Sequence, residues 1–134
     1  MIKYLFLYGT LIEPEPPEEI TPLVKRLPRI GTASIPGRLY DLGDYPGAVV
    51  DASANTSIHG ELVELPEDET VLDSLDKYEE FDPDNPKQSL FVRRKVNARL
   101  VNGENVDAWM YVYNKQPGDA PIIPGGTYSK SRVA

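Results

Sequence analysis

The chain has 134 residues, which fits one domain and leaves no room for a second with its own core. Fourteen Lys and Arg against 21 Asp and Glu give a net charge of −7, so the surface repels phosphate, and neither nucleic acid nor an anionic membrane is expected as a partner. With no Cys and one His, the sequence excludes disulfides, zinc–thiolate sites, cysteine nucleophiles and multi-histidine metal cages.

Thirteen Pro and ten Gly predict many turns and short strands rather than a helical bundle. Tyr4-Leu5-Phe6-Leu7-Tyr8 is aromatic and apolar throughout, the pattern of a strand buried on both faces, and it stops at Gly9-Thr10. The run Ile2–Tyr8 is too short to span a membrane and has no cleavage-type sequel, so a soluble, cytoplasmic protein is expected. The acidic, proline-rich stretch Glu13–Glu19 reads as a solvated loop, followed by a candidate helix from about Thr21 through Leu27. Arg29–Tyr40 reads as a strand broken at Pro36-Gly37, and Gly43–Gly47 as a turn before the short strand Ala48-Val49-Val50. Ile58–Leu65 alternates as a strand, with Gly60 marking a bulge or a close backbone approach.

Pro66–Glu79 is the best helix: proline and acidic residues open it, and Val71, Leu72, Leu75 and Tyr78 follow at helical spacing. Phe81–Ser89 is a polar loop. Leu90–Val101 and Glu104–Asn114 flank Asn102-Gly103, the strongest hairpin signal in the chain. The resulting fold class is α+β, built around a curled, mostly antiparallel sheet. A single domain spans residues 1–128, with 129–134 as a frayed tail.

Glu79 is the residue that helix geometry singles out. With Leu72 at zero and about 100° per residue, Leu75, Val71 and Tyr78 occupy one arc of about 120°, and Glu79 falls inside it at about −20°. A carboxylate on that stripe either ends the helix early and points to water or faces a cavity, because burying an unpaired anion is expensive. Tyr8-Gly9-Thr10-Leu11, at the exit of the first strand, is either an ordinary turn or a set of backbone N–H groups that can bind an oxyanion. His59 reads as a strand-surface residue. Arg93 and Arg94 project to opposite sides of a strand, so one can pair inward with a carboxylate while the other is solvated.

Leu5-Phe6-Leu7-Tyr8-Gly9-Thr10-Leu11 resembles the F-x-Y-G-T-L signature of the gamma-glutamylcyclotransferase-like family. The likeness continues in order through Gly37-Arg38-Leu39-Tyr40, Tyr45-Pro46-Gly47-Ala48, Gly60–Leu65, Leu75-Asp76-Lys77-Tyr78-Glu79, Phe91-Val92-Arg93-Arg94, Ala108–Val112 and Gly126-Thr127-Tyr128. The resemblance implies a small mixed, mostly antiparallel β-barrel with flanking helices, whose cavity takes a gamma-glutamyl group. It also implies Glu79 as general acid/base and a turn, Tyr8, Gly9, Thr10 and Leu11, that lines the substrate's α-amino-acid end. The activity implied is release of 5-oxoproline from a gamma-glutamyl amine, amino acid or peptide, without metal or cofactor. The alternative is a non-catalytic protein that binds the same ligand class on the same barrel. The sequence departs from the family pattern in two places, with Glu80 where a glycine is usual and Phe91 where a tyrosine is usual. A carboxylate at position 80 would repel a negatively charged leaving portion and favour gamma-glutamylamines.

Overall fold

The structure is a computed structural model and describes residues 2–8, 27–42, 46–67, 70–78, 81–123 and 126. Six strands and one α-helix follow in chain order: β1 (Tyr4–Leu7), β2 (Arg29–Asp41), β3 (Pro46–Val50), β4 (Ser57–Glu64), α1 (Thr70–Tyr78), β5 (Phe91–Leu100) and β6 (Asn105–Tyr113). A short 3-10 turn, Pro86–Gln88, precedes β5. The expected helix, apart from Leu27 at its end, the loop before it and the chain after Gly126 lie outside the described residues.

The sheet runs β3-β2-β4-β1-β6-β5, and a further β2–β5 pairing, Ala33 with Leu100 and Ser34 with Arg99, closes β2, β4, β1, β6 and β5 into a five-stranded barrel. Every pairing is antiparallel except β1 with β6, where Leu5 sits beside Trp109. The mixed, mostly antiparallel barrel expected from the sequence is present, with α1 packed on its outside. Strand β3 continues from β2 as an extra strand.

Alternation along β1 sorts the core. Phe6 points inward with Ile35, Leu39, Ile58, Leu62 and Met110, all buried. Leu5 and Leu7 point outward and are covered with Val63, Leu65 and Leu75 beneath the helix. That is why β1 reads as apolar at every position: it lies in the middle of the sheet with both faces covered.

Apart from shifts of one or two residues at strand ends, two boundaries differ from the sequence reading. Strand β2 runs unbroken through Pro36-Gly37, because the dipeptide is where it changes partner. Arg29–Pro36 pairs with β4 and Gly37–Asp41 with β3. Pro36 has no N–H to lose, and its carbonyl accepts from the Asp51 N–H at 3.1 Å. The helix starts at Thr70 rather than Pro66. Leu65 is still held by the sheet, its N–H donating to the Lys3 carbonyl at 2.7 Å, so the chain turns before it can coil. The hairpin is as expected, with Gly103 at φ 94° and the Glu104 N–H bonded to the Asn102 side chain at 2.9 Å.

Gly60 is a close approach. A Cβ there would lie 2.1 Å from the Leu7 carbonyl oxygen and 2.9 Å from Phe6 Cζ. Gly60→Ala is therefore expected to destabilise the fold by about 1–3 kcal/mol through overpacking, read from urea unfolding. An unchanged midpoint would mean that β1 and β4 do not approach this closely. At the β2–β3 end, the Ser53 hydroxyl and N–H, and then Arg38, hold the Asp51 carboxyl below its ordinary pKa. The stability from Asp51 is fully present above the ordinary carboxylate pKa and is lost as pH falls through the lowered folded value. Asp51→Asn should flatten that part of the acid-unfolding curve; an identical acid limb would count against the contact.

Candidate active site

Helix α1 carries its one buried carboxylate at Asp76, which is 5% exposed. The register of the hairpin explains its partners. Arg93 on β5 lies opposite Tyr111 on β6, both on the barrel's outer face under the helix. Arg93 Nε donates to Asp76 Oδ1 at 3.0 Å and Nη2 to Oδ2 at 3.2 Å, a two-pronged fork. The Tyr111 hydroxyl donates to Asp76 Oδ1 at 2.5 Å. Trp109, two residues before Tyr111 on the same face, stacks under the guanidinium with its ring centre 4.5 Å from Arg93 Cζ, and Phe81 lies 6.0 Å away on the same cation.

Tyr111 also connects to the first strand. Tyr8, with its ring inside the barrel 6.5 Å from that of Phe6, donates its hydroxyl proton to the Tyr111 carbonyl. On the helix side, the Phe81 N–H donates to the Asp76 carbonyl at 2.8 Å, a bond that closes the chain from 76 to 81. Two described anchors therefore meet at one residue. One is Tyr8, immediately before Gly9, and the other is Asp76, three residues before Glu79. Of the residues read from the sequence as the site, Tyr8 is described and is brought to this network; Gly9, Thr10, Leu11 and Glu79 lie outside the described residues, as does Glu80.

Asp76 and Tyr111 were not singled out in the sequence. On the same wheel Asp76 falls at about +40°, beside the apolar stripe, and that position combined with an arginine in an outward-facing strand register was the available signal. The expected inward pairing of one arginine and solvation of the other holds: Arg93 is paired and Arg94 is exposed. His59 is exposed on β4 and lines a 250 Å³ recess together with Arg38 and Ile123. Phe91, where the resemblance leads to a tyrosine, is buried with its ring 5.7 Å from that of Tyr113. A second recess, of 330 Å³, is lined by Phe81, Lys87, Arg93 and Arg94. Among the described residues no group of three or more His, Asp or Glu side chains could hold a metal ion, and no helix is long and apolar enough to cross a membrane.

The model of one protein family, described as gamma-glutamyl cyclotransferase, AIG2-like, matches residues 5–130. No curated protein sequence matches the chain. Among solved structures, an AIG2-like protein from Mus musculus is similar with a TM-score of 0.73 at 18% identity, covering 96% of this chain and 88% of that one. YkqA from Bacillus subtilis is similar with a TM-score of 0.69 at 24% identity, covering 96% of this chain. The chain spans only 40% of the length of that protein. The ytfP protein from Escherichia coli is similar with a TM-score of 0.63 at 25% identity, covering 96% of this chain and 98% of that one.

The pair at the centre of the site has a measurable consequence. Asp76→Asn keeps the shape but leaves the Arg93 guanidinium largely buried without its counter-charge, which is expected to cost about 3 kcal/mol in urea unfolding. The double variant Asp76→Leu/Arg93→Met should recover part of that loss, since neither charge remains. Equal destabilisation by the single and double variants would show that charge pairing is not what holds the helix.

Proposed function

The chain belongs to the gamma-glutamyl cyclotransferase, AIG2-like family, and on that premise we propose that it is a cyclotransferase in which Glu79 is the general acid/base and the Tyr8–Leu11 turn holds the gamma-glutamyl group. The substrate's α-amino nitrogen attacks its own γ-carbonyl carbon and closes a five-membered lactam. Glu79 takes the proton that the attacking nitrogen must shed and delivers it to the departing nitrogen as the old C–N bond breaks. The products are 5-oxoproline and a free amine, amino acid or peptide. The protein's contribution is folding the substrate back so that amine and carbonyl meet, providing the proton relay, and offering backbone N–H donors from Gly9 to Leu11 to the developing oxyanion.

The observation that carries this reading is the shared anchor at Tyr111. Its carbonyl accepts from Tyr8 and its hydroxyl donates to Asp76, so the chain on the near side of each proposed catalytic stretch is held by one residue, although 8 and 76 are far apart in sequence. A helix tied down by a forked ion pair three residues before its catalytic carboxylate suits a site that depends on alignment. The alternative, a non-catalytic binder, drew on the departures at positions 80 and 91. At position 91 the phenylalanine is accounted for by packing against Tyr113.

Glu79→Gln is expected to lower the rate of 5-oxoproline release by about 10²–10⁴-fold while leaving the circular dichroism and thermal melt unchanged, because the amide cannot carry the proton. Wild-type activity should rise with pH through one ionisation, and that limb should vanish in the variant. Full activity in a well-folded Glu79→Gln protein would remove Glu79 from the mechanism.

A further inference from the structure

We propose that the 330 Å³ recess beside the end of α1 binds a carboxylate on the leaving portion of the substrate through Lys87 and Arg94, so that gamma-glutamyl amino acids or peptides are favoured over gamma-glutamylamines. The proposal rests on the cyclotransferase reading above and adds to it the chemical class of the leaving group.

The position of the recess is the first argument. One wall is Phe81, two residues after Glu79, and another is Arg93, whose fork holds Asp76, three residues before Glu79. The group released from the γ-carbonyl must leave from beside the catalytic carboxylate, and this space adjoins the chain just after it, at Phe81, and reaches Arg93, the partner of Asp76. Its volume lies at the lower end of the roughly 300–1,000 Å³ usual for small-molecule pockets, enough for an amino-acid side of a small substrate.

Charge is the second argument. The chain carries a net charge of −7, yet none of the described residues lining this recess is acidic and three are cationic. Arg93 is neutralised by Asp76, whereas Lys87 and Arg94 are exposed and have no acidic partner among the described residues. Phe81 and Val92 supply apolar wall beside the two cations.

The recess is also held in shape by hydrogen bonds around its rim. Asn114 Nδ2 donates to the Pro86 carbonyl at 2.9 Å and to the Ser89 carbonyl at 3.0 Å, pinning the turn that presents Lys87. The Ser89 side chain accepts from the Asp82 N–H at 2.9 Å, fastening the other end of the same loop. Arg94 is fixed in β5 by its register with Met110. Along the described residues, β5 pairs with β6 over Phe91–Arg99 but with β2 only at Arg99 and Leu100, so its first half presents an open edge beside the recess. Glu80 works in the opposite direction, and the experiment sets the two charges against each other.

The test compares kcat/KM for gamma-glutamylalanine and for gamma-glutamylethylamide, which differs from it by the carboxylate, in the wild type and in Lys87→Gln, Arg94→Gln and Glu80→Gly. The expected result is a wild-type preference for gamma-glutamylalanine that falls about tenfold in each cation variant, the size of one charge-assisted hydrogen bond. Binding of both compounds is measured in parallel from the fluorescence of Trp109, the chain's single tryptophan, which lies against Arg93. Should neither compound yield 5-oxoproline, the cyclotransferase reading fails, but tighter binding of gamma-glutamylalanine that is lost in Arg94→Gln would still support the carboxylate site. A wild-type preference for the ethylamide, or a ratio and binding difference that do not move in Lys87→Gln and Arg94→Gln, overturns it.

Discussion

The carboxylate of Asp76 accepts three hydrogen bonds from two side chains that the β5–β6 register sets opposite each other. A buried anion is tolerated only when its lone pairs are filled and its charge is countered, and here Arg93 and Tyr111 do both. The consequences extend beyond one ion pair. The fork fixes the last turn of α1 against the barrel, cation–π contact with Trp109 fixes the guanidinium in turn, and Tyr111 passes the constraint to Tyr8 at the exit of β1. Three segments from distant parts of the chain are aligned by one carboxylate.

Closure of the barrel sets the other constraint. Among the described residues, the barrel interior is packed with Phe6, Ile35, Leu62 and Met110, together with Ala33, Ala98 and Ala108. Gly60 lets the Leu7 carbonyl come within a distance that no side chain would permit. Described residues line two recesses, one by Arg38 and His59 and one beside Phe81, Lys87 and Arg94.

Much of this was legible from residues alone, because local rules act over short distances. Apolar residues at every position of Tyr4–Leu7 signalled a strand with two covered faces, and Asn102-Gly103 signalled a hairpin, since only a few residue types accept positive φ in a tight turn. Helical spacing located α1 to within a turn. The ordered motifs from Tyr8 to Tyr128 indicated the family.

What the sequence could not reveal depends on contacts between residues far apart in the chain. Pro36-Gly37 read as a break because prolines usually end ladders; only pairing with two different strands shows that β2 passes through it. Asp76, at the edge of the apolar stripe and nearer to it than Asp73, could equally have faced water. Its burial was decided by Arg93 and Tyr111, brought beneath the helix by a register of strands 17 and 35 residues farther along the chain. Periodicity determines which residues share a face, while the tertiary structure decides what that face meets, because the partners of a buried charge are chosen by strand pairing and not by neighbours in sequence.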